Sequence, residues 1–266
     1  YLNLINMVNT EEWLNKKAKY WSIVDEILRK SDIILNILDA RFDEETRNPG
    51  IEERMKRYGK KLIFVLNKCD LVSKRQMNKA IKKLEDIAPV IPISCRDRHG
   101  KLRLITAITR LTKKRPLSIG VVGYPNTGKS SVINYLKGKK AARTSPIAGF
   151  TKGIQWVRFS KNIRLIDTPG VIPFKEKNEA GLAIKSSLTN IKDFENVACK
   201  IIDLLIIKNK KMLEDKYEVK ASNDSFGTLK KIAKSKHKLK KHGELDLETT
   251  ARMVVNDFQK GKLKIW

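Results

Sequence analysis

The sequence predicts an α/β fold, a mostly parallel sheet with helices on both faces, followed by a small C-terminal α-helical domain. Three observations predict it. Short apolar runs alternate with amphipathic stretches from DIILNILDA to Gly170, as strands do when crossover helices join them. The buried run LSIGVV (117–122) leads into a glycine-bearing loop, GYPNTGKS (123–130), and then into the helical pattern SSVINYLKG, which ends at Gly138. After Pro173 the apolar period becomes helical and stays so to the end of the chain.

The elements follow in order. WLNKKAKYWSIVDEIL has apolar residues at helical spacing, which predicts a helix over 11–30. Trp13 and Trp21 are expected in its core-facing stripe, with an RNA-facing role as the alternative. DIILNILDA, KLIFVLNKCD (61–70), VIPISCRD (90–97), LSIGVV and RLIDTPG (164–170) read as strands ending in polar loops. Beyond them LAIKSSL, FENVACKIIDLLIIK, FGTLKKIAKSKHKLKK and LETTARMVVNDFQKG read as helices. The expected division is 1–177 for the α/β domain and 178–266 for the helical domain, with no internal repeat or low-complexity linker.

The loop carries the least ambiguous chemistry. GYPNTGKS matches GxxxxGK[ST], in which glycines let the backbone wrap phosphates, the lysine bridges β and γ oxygens, and the hydroxyl binds Mg²⁺. Gly123, Gly128, Lys129 and Ser130 take these roles, and Tyr124, Pro125, Asn126, Thr127 and Ser131 complete the nucleotide-binding stretch. Asp167 in RLIDTPG fits a DxxG element whose carboxylate reaches Mg²⁺ through water and whose Gly170 N–H senses the γ-phosphate. Thr151, in IAGFTKG between the two, is the expected switch threonine on Mg²⁺. Lys129, Thr151 and Gly170 are therefore the expected catalytic groups, and Ser130, Thr151 and Asp167 the expected Mg²⁺ set.

Base recognition lies upstream of the phosphate loop. Asn67, Lys68 and Asp70 form an NKxD element at the end of an apolar strand, where a carboxylate can accept from guanine N1–H and the exocyclic amine. Ser94, Cys95 and Arg96 form a second loop whose backbone would face guanine O6. The order is base recognition, phosphate loop, switches. That is a circularly permuted P-loop GTPase domain, and permutation keeps every strand in place because domain termini lie at the surface.

These motifs, with DARFDEETRNPGIEE (39–53) and the closing GELDLETTARMVVNDFQKGKLKIW, resemble the circularly permuted ribosome-assembly GTPases of the YlqF/YawG type over nearly the whole chain. The resemblance implies GTP hydrolysis to GDP with Mg²⁺ on the large ribosomal subunit or its precursor. It also implies a catalytic histidine near the N-terminus, but the three histidines here are His99, His237 and His242. Val171, directly after DTPG, cannot orient water as a glutamine would. Asn126 stands where related loops help hold K⁺; it either does so or satisfies loop backbone.

Composition fits a polyanionic partner. The net charge is +27, with 37 basic against 17 acidic residues in 1–177 and 19 against 12 in 178–266, so rRNA contact is expected from both parts. The lysines at 230, 231, 234, 236, 238, 240 and 241 crowd one segment, read as an rRNA contact with a solvated face as the alternative. Cys69, Cys95 and Cys199 have no ligand spacing, and no signal peptide or apolar run near twenty residues is present. The expectation is a cytoplasmic monomer without a membrane partner. Two further function classes stay open: a GTP-dependent RNA-binding switch with negligible turnover, and a GTPase acting on tRNA or a translation factor.

Overall fold

A computed structural model describes residues 18, 20–138, 155–160, 162–167, 191 and 193–265. Helix α1 (20–30) precedes β1 (Ile33–Asp39), α2 (Pro49–Arg57), β2 (Lys61–Asn67), α3 (Lys74–Leu84), β3 (Val90–Ile93), α4 (Lys101–Leu111) and β4 (Leu117–Val122). Then come α5 (Lys129–Lys137), β5 (Gln155–Ser160) and β6 (Ile163–Asp167). Three further helices close the chain: α6 (Phe194–Tyr217), α7 (Ser225–Ser235) and α8 (Leu247–Gln259).

The six strands form one sheet in the order β3-β2-β1-β4-β6-β5. All pairs are parallel except β5–β6. Strand order reverses between β1 and β4, so the crevice at their carboxyl ends is the switch point where doubly wound folds bind ligands. Every residue of β1 is buried, as a central parallel strand covered on both faces requires. The period of two divides its side chains. Ile33, Leu35 and Ile37 pack with α4 and α5 through Leu104, Ile108, Val132 and Leu136. Ile34 packs with α1 and α2 through Val24, Ile27, Ile51 and Met55, and Leu38 with α3 through Ala80 and Leu84.

Local chemistry sets the helix ends. The Asn48 side chain caps α2 by accepting from Gly50 N at 3.0 Å, with Pro49 in the first turn. Ser73 and Gln76 form a reciprocal capping box on α3. Trp21 is half-buried against the core, with the Arg54 guanidinium over its ring at 4.3 Å, while Trp13 lies outside the described residues.

The last three helices build a second core from Val197, Ile201, Leu205, Leu229, Val254 and Phe258, which also takes in Phe42 from the loop after β1. Two expectations are corrected here. The helix opening at Phe194 runs on to Tyr217 but breaks at Asn209, whose side chain accepts from Met212 N and donates to Lys264 O, both at 3.2 Å. The lysine-rich stretch 226–241 is not one helix. It stops at Ser235 because His237 takes a left-handed φ of 49°, with Lys238 N donating to Ala233 O and His237 N to Lys234 O, a Schellman closure. The remaining lysines lie in a turn closed by the Leu239–Leu245 bridge. The expected helix at 182–188 lies outside the described residues. No described helix is long and apolar enough to cross a membrane.

Candidate functional site: loops at the carboxyl edge of the sheet

The phosphate loop springs from β4 at the reversal point, and its glycines are fixed by close approach. A Cβ on Gly123 (φ 145°) would lie 2.4 Å from the Ile37 carbonyl oxygen, and one on Gly128 (φ 92°) 2.2 Å from Asn67 Nδ2. Gly128 is the N-cap of α5, so the helix N-terminus opens directly onto the loop. Inside, Thr127 Oγ1 donates to Tyr124 O at 2.9 Å, and Lys129 Nζ donates to the carbonyls of Gly123 and Tyr124, each at 2.8 Å. Tyr124, Thr127 and Lys129 are buried, whereas Pro125, Asn126, Ser130 and Ser131 keep partial exposure toward the site. Asn126 holds a left-handed φ of 62°. The loop, held against Ile37 and Asn67 at its two glycines and carrying a buried lysine at a helix N-terminus, fits a polyphosphate.

The NKCD segment reaches the same place from β2. Asn67 Nδ2 donates to Thr127 O at 2.7 Å, and Lys68 Nζ donates to Asn126 O at 2.7 Å. Both side chains therefore brace the phosphate loop. Asp70 follows in the 3₁₀ turn Cys69–Leu71, its side chain 9% exposed and paired with Arg96 Nη2 at 2.9 Å. Arg96 belongs to the second loop, where Asp97 N donates to Ser94 Oγ at 3.0 Å and Ser94 bridges to His99. Cys95 Sγ donates to Asn67 Oδ1 at 3.5 Å, tying that loop to NKCD. Burial pushes the Cys69 thiol up to about 11 and the Cys95 thiol up to about 12, so both are neutral wall groups at pH 7.

Asp167 ends β6, the parallel neighbour of β4, one residue past the Gly120–Ile166 pair. Its backbone thus stands at the same sheet edge as the phosphate loop. The side chain of Asp167, and Thr151 and Gly170 altogether, lie outside the described residues, as does Val171.

Two residues that motif reading leaves without a role join the site. Asp39, the last residue of β1, accepts from Arg41 Nε at 3.0 Å, Arg41 Nη2 at 2.8 Å and Lys68 Nζ at 2.7 Å. Burial alone would raise the Asp39 carboxyl, but Arg41 and Lys68 override it and hold the group well below the usual carboxylate range. Burial also lowers the Lys68 ammonium, an effect that Asp39 opposes. The visible signal was a D-x-R pair closing a fully buried strand that is apolar but for Asn36.

Comparison with known proteins bears on this geometry. Residues 118–241 match the family model of a 50S ribosome-binding GTPase, and residues 52–176 that of the RsgA GTPase. A GTP-binding protein of Methanocaldococcus jannaschii is 37% identical over 254 residues, covering 94% of this chain and 68% of that protein. Nucleolar GTP-binding protein 2 of Pneumocystis carinii is 37% identical, covering 92% of this chain and 53% of its own length. Its counterpart in Saccharomyces cerevisiae is 33% identical, covering 93% and 53%. This chain thus spans about half the length of those two nucleolar relatives. GNP-bound YlqF from T. maritima shares the fold with a TM-score of 0.65 at 24% identity, covering 93% of this chain and 96% of that one. With the NKCD and SCRD loops ahead of the phosphate loop, both converging on one sheet edge, and with these relatives, the chain belongs to the circularly permuted ribosome-assembly GTPases of the YlqF/YawG type.

Proposed function

We propose that this GTPase binds GTP and GDP with Mg²⁺ through the residues named above and acts, as a cytoplasmic monomer, on the large ribosomal subunit or its precursor. The observation that supports the nucleotide site is the Asn67–Thr127 hydrogen bond of 2.7 Å, which brings motifs sixty residues apart against each other. Support for the partner comes from the net charge of +27 and from the names of its relatives, nucleolar GTP-binding proteins and a 50S ribosome-binding GTPase family. Residues 1–177 would carry the nucleotide and 178–266 would contribute rRNA contacts.

In this reading Asp70 accepts from guanine, Ser94, Cys95 and Arg96 wall the base, and the phosphate loop with Lys129 neutralises the phosphates. Ser130, Thr151 and Asp167 would hold Mg²⁺, which supplies charge neutralisation at the β and γ oxygens when bound. Asn126 would hold K⁺ if turnover depends on that ion, and otherwise satisfies loop backbone. The test is GTP turnover in K⁺ and in Na⁺ buffer, with and without purified large subunits. Stimulation by subunits supports the proposal. Subunit binding that depends on GTP but leaves turnover negligible would favour an RNA-binding switch, the reading that Val171 favours.

A further inference from the structure

We propose that the carboxyl end of α8 is a working part of the guanine-reading loop, and that the Asp39–Arg41–Lys68 cluster couples nucleotide occupancy to the seating of the C-terminal helices. The inference rests on reading the site as one for guanine nucleotide.

Arg41 divides its donors. Nε and Nη2 hold Asp39, while Nη1 donates to Phe258 O at 2.7 Å, with the guanidinium over the Phe258 ring at 5.0 Å. Lys68 likewise donates to Asp39, to Asn126 O in the phosphate loop, and to Gln259 O at 3.3 Å. Two cations share one buried carboxylate, and the positive charge left over faces the last carbonyls of α8, the negative pole of that helix. A second contact closes the other side of NKCD. Gly261, at φ 71°, passes so near the 3₁₀ turn that a Cβ there would lie 2.4 Å from Leu71 Cδ1. The end of α8 therefore grips the residues on both flanks of Cys69 and Asp70.

Guanine bound at Asp70 fixes this loop, and the loop fixes the end of α8. By reciprocity, displacing α8 weakens nucleotide retention. The joint senses the base, so GDP and GTP act on it alike, unlike a switch that senses the γ-phosphate.

The test is amide hydrogen exchange over residues 256–261 in nucleotide-free, GDP-bound and GTP-analogue-bound protein, together with release of fluorescent mant-GDP. Wild type should show protection of roughly fivefold or more with either nucleotide. Asp39→Asn and Arg41→Met should lose that protection and release mant-GDP faster. Arg41→Lys, a variant that retains the cation if the others fail to fold, should keep part of the protection and release mant-GDP at a rate between wild type and Arg41→Met, because an ammonium lacks the three separate nitrogens by which the guanidinium holds Asp39 and Phe258 O together. Lys30→Ala, which removes only an exposed pair with Glu26 on α1, should match wild type. Exchange over 256–261 that is the same with and without bound mant-GDP, or full protection in Asp39→Asn, would overturn the inference alone. A wild type that binds no mant-GDP would overturn it together with the site reading.

Discussion

In the proposed guanine site, Asp70 makes base choice a matter of one oxygen. A carboxylate accepts from both guanine donors, whereas an amide presents a donor to one of them, so Asp70→Asn should lower GTP affinity and relax discrimination against xanthine nucleotide. Competition of GTP and XTP for the labelled site measures it, and equal GTP affinity in the mutant would remove NKCD as the reader. Asp39 acts differently, through linkage. Its folded carboxyl titrates far below the unfolded value of about 3.9, so its contribution is complete above that value and is lost as pH falls through the folded value. Urea unfolding from pH 6 to pH 2.5 should show a steeper loss of stability below about pH 4 in wild type than in Asp39→Asn. Parallel acid limbs would show that Arg41 and Lys68 do not hold the charge.

Elements are positioned here by backbone conformations that few residues tolerate. At the start of α5, Gly128→Ala adds a left-handed alanine and a Cβ in the place of Asn67 Nδ2, so it should cost roughly 1–3 kcal/mol and abolish tight GDP binding. Thermal unfolding with mant-GDP titration tests both effects; wild-type values in each would mean that the loop relaxes freely. The end of α7 offers the opposite case. His237 holds the left-handed position of a Schellman closure that glycine fills without strain, so His237→Gly should stabilise the chain by about 0.5–1 kcal/mol. A lower urea midpoint for that variant would mean that the imidazole makes a contribution larger than the backbone strain.

Across the whole molecule the charge is distributed rather than gathered on one helix. Lys236 pairs with Glu218 at 3.0 Å, Lys231 donates to Lys220 O, and Lys230 lies over the Phe226 ring, so in this segment exposed Lys234 and the lysines of the turn at 238–241 carry the charge that those contacts do not engage. Association with large subunits should weaken steeply with salt, because each neutralised phosphate releases counterions. Reversing Lys238, Lys240 and Lys241 to glutamate should reduce that slope, read from sedimentation at several salt concentrations. An unchanged slope would return this turn to a solvated face and leave the excess on the α/β part as the gripping surface.

Spacing alone was enough for the phosphate loop, the permuted order of motifs and the strands that carry them, because these depend on local rules: glycine where φ is positive, an unbroken apolar run where a strand is covered on both faces, a lysine and hydroxyl at fixed offsets from the turn. The break at Asn209 and the stop at Ser235 were not legible, since each depends on a side chain or a left-handed residue whose alternative, a continued helix, has the same apolar period. Nor did the motifs reveal that Lys68 braces the loop carbonyl of Asn126, or that Asp39 and Arg41 join this cluster. Those facts required tertiary structure, because the carbonyls of Phe258 and Gln259 that complete the cluster come from a helix about two hundred residues away. The sequence determined the chemistry of this GTPase and its order along the chain; only the fold decided which buried charges share a partner, because pairing across that distance is set by packing and not by spacing.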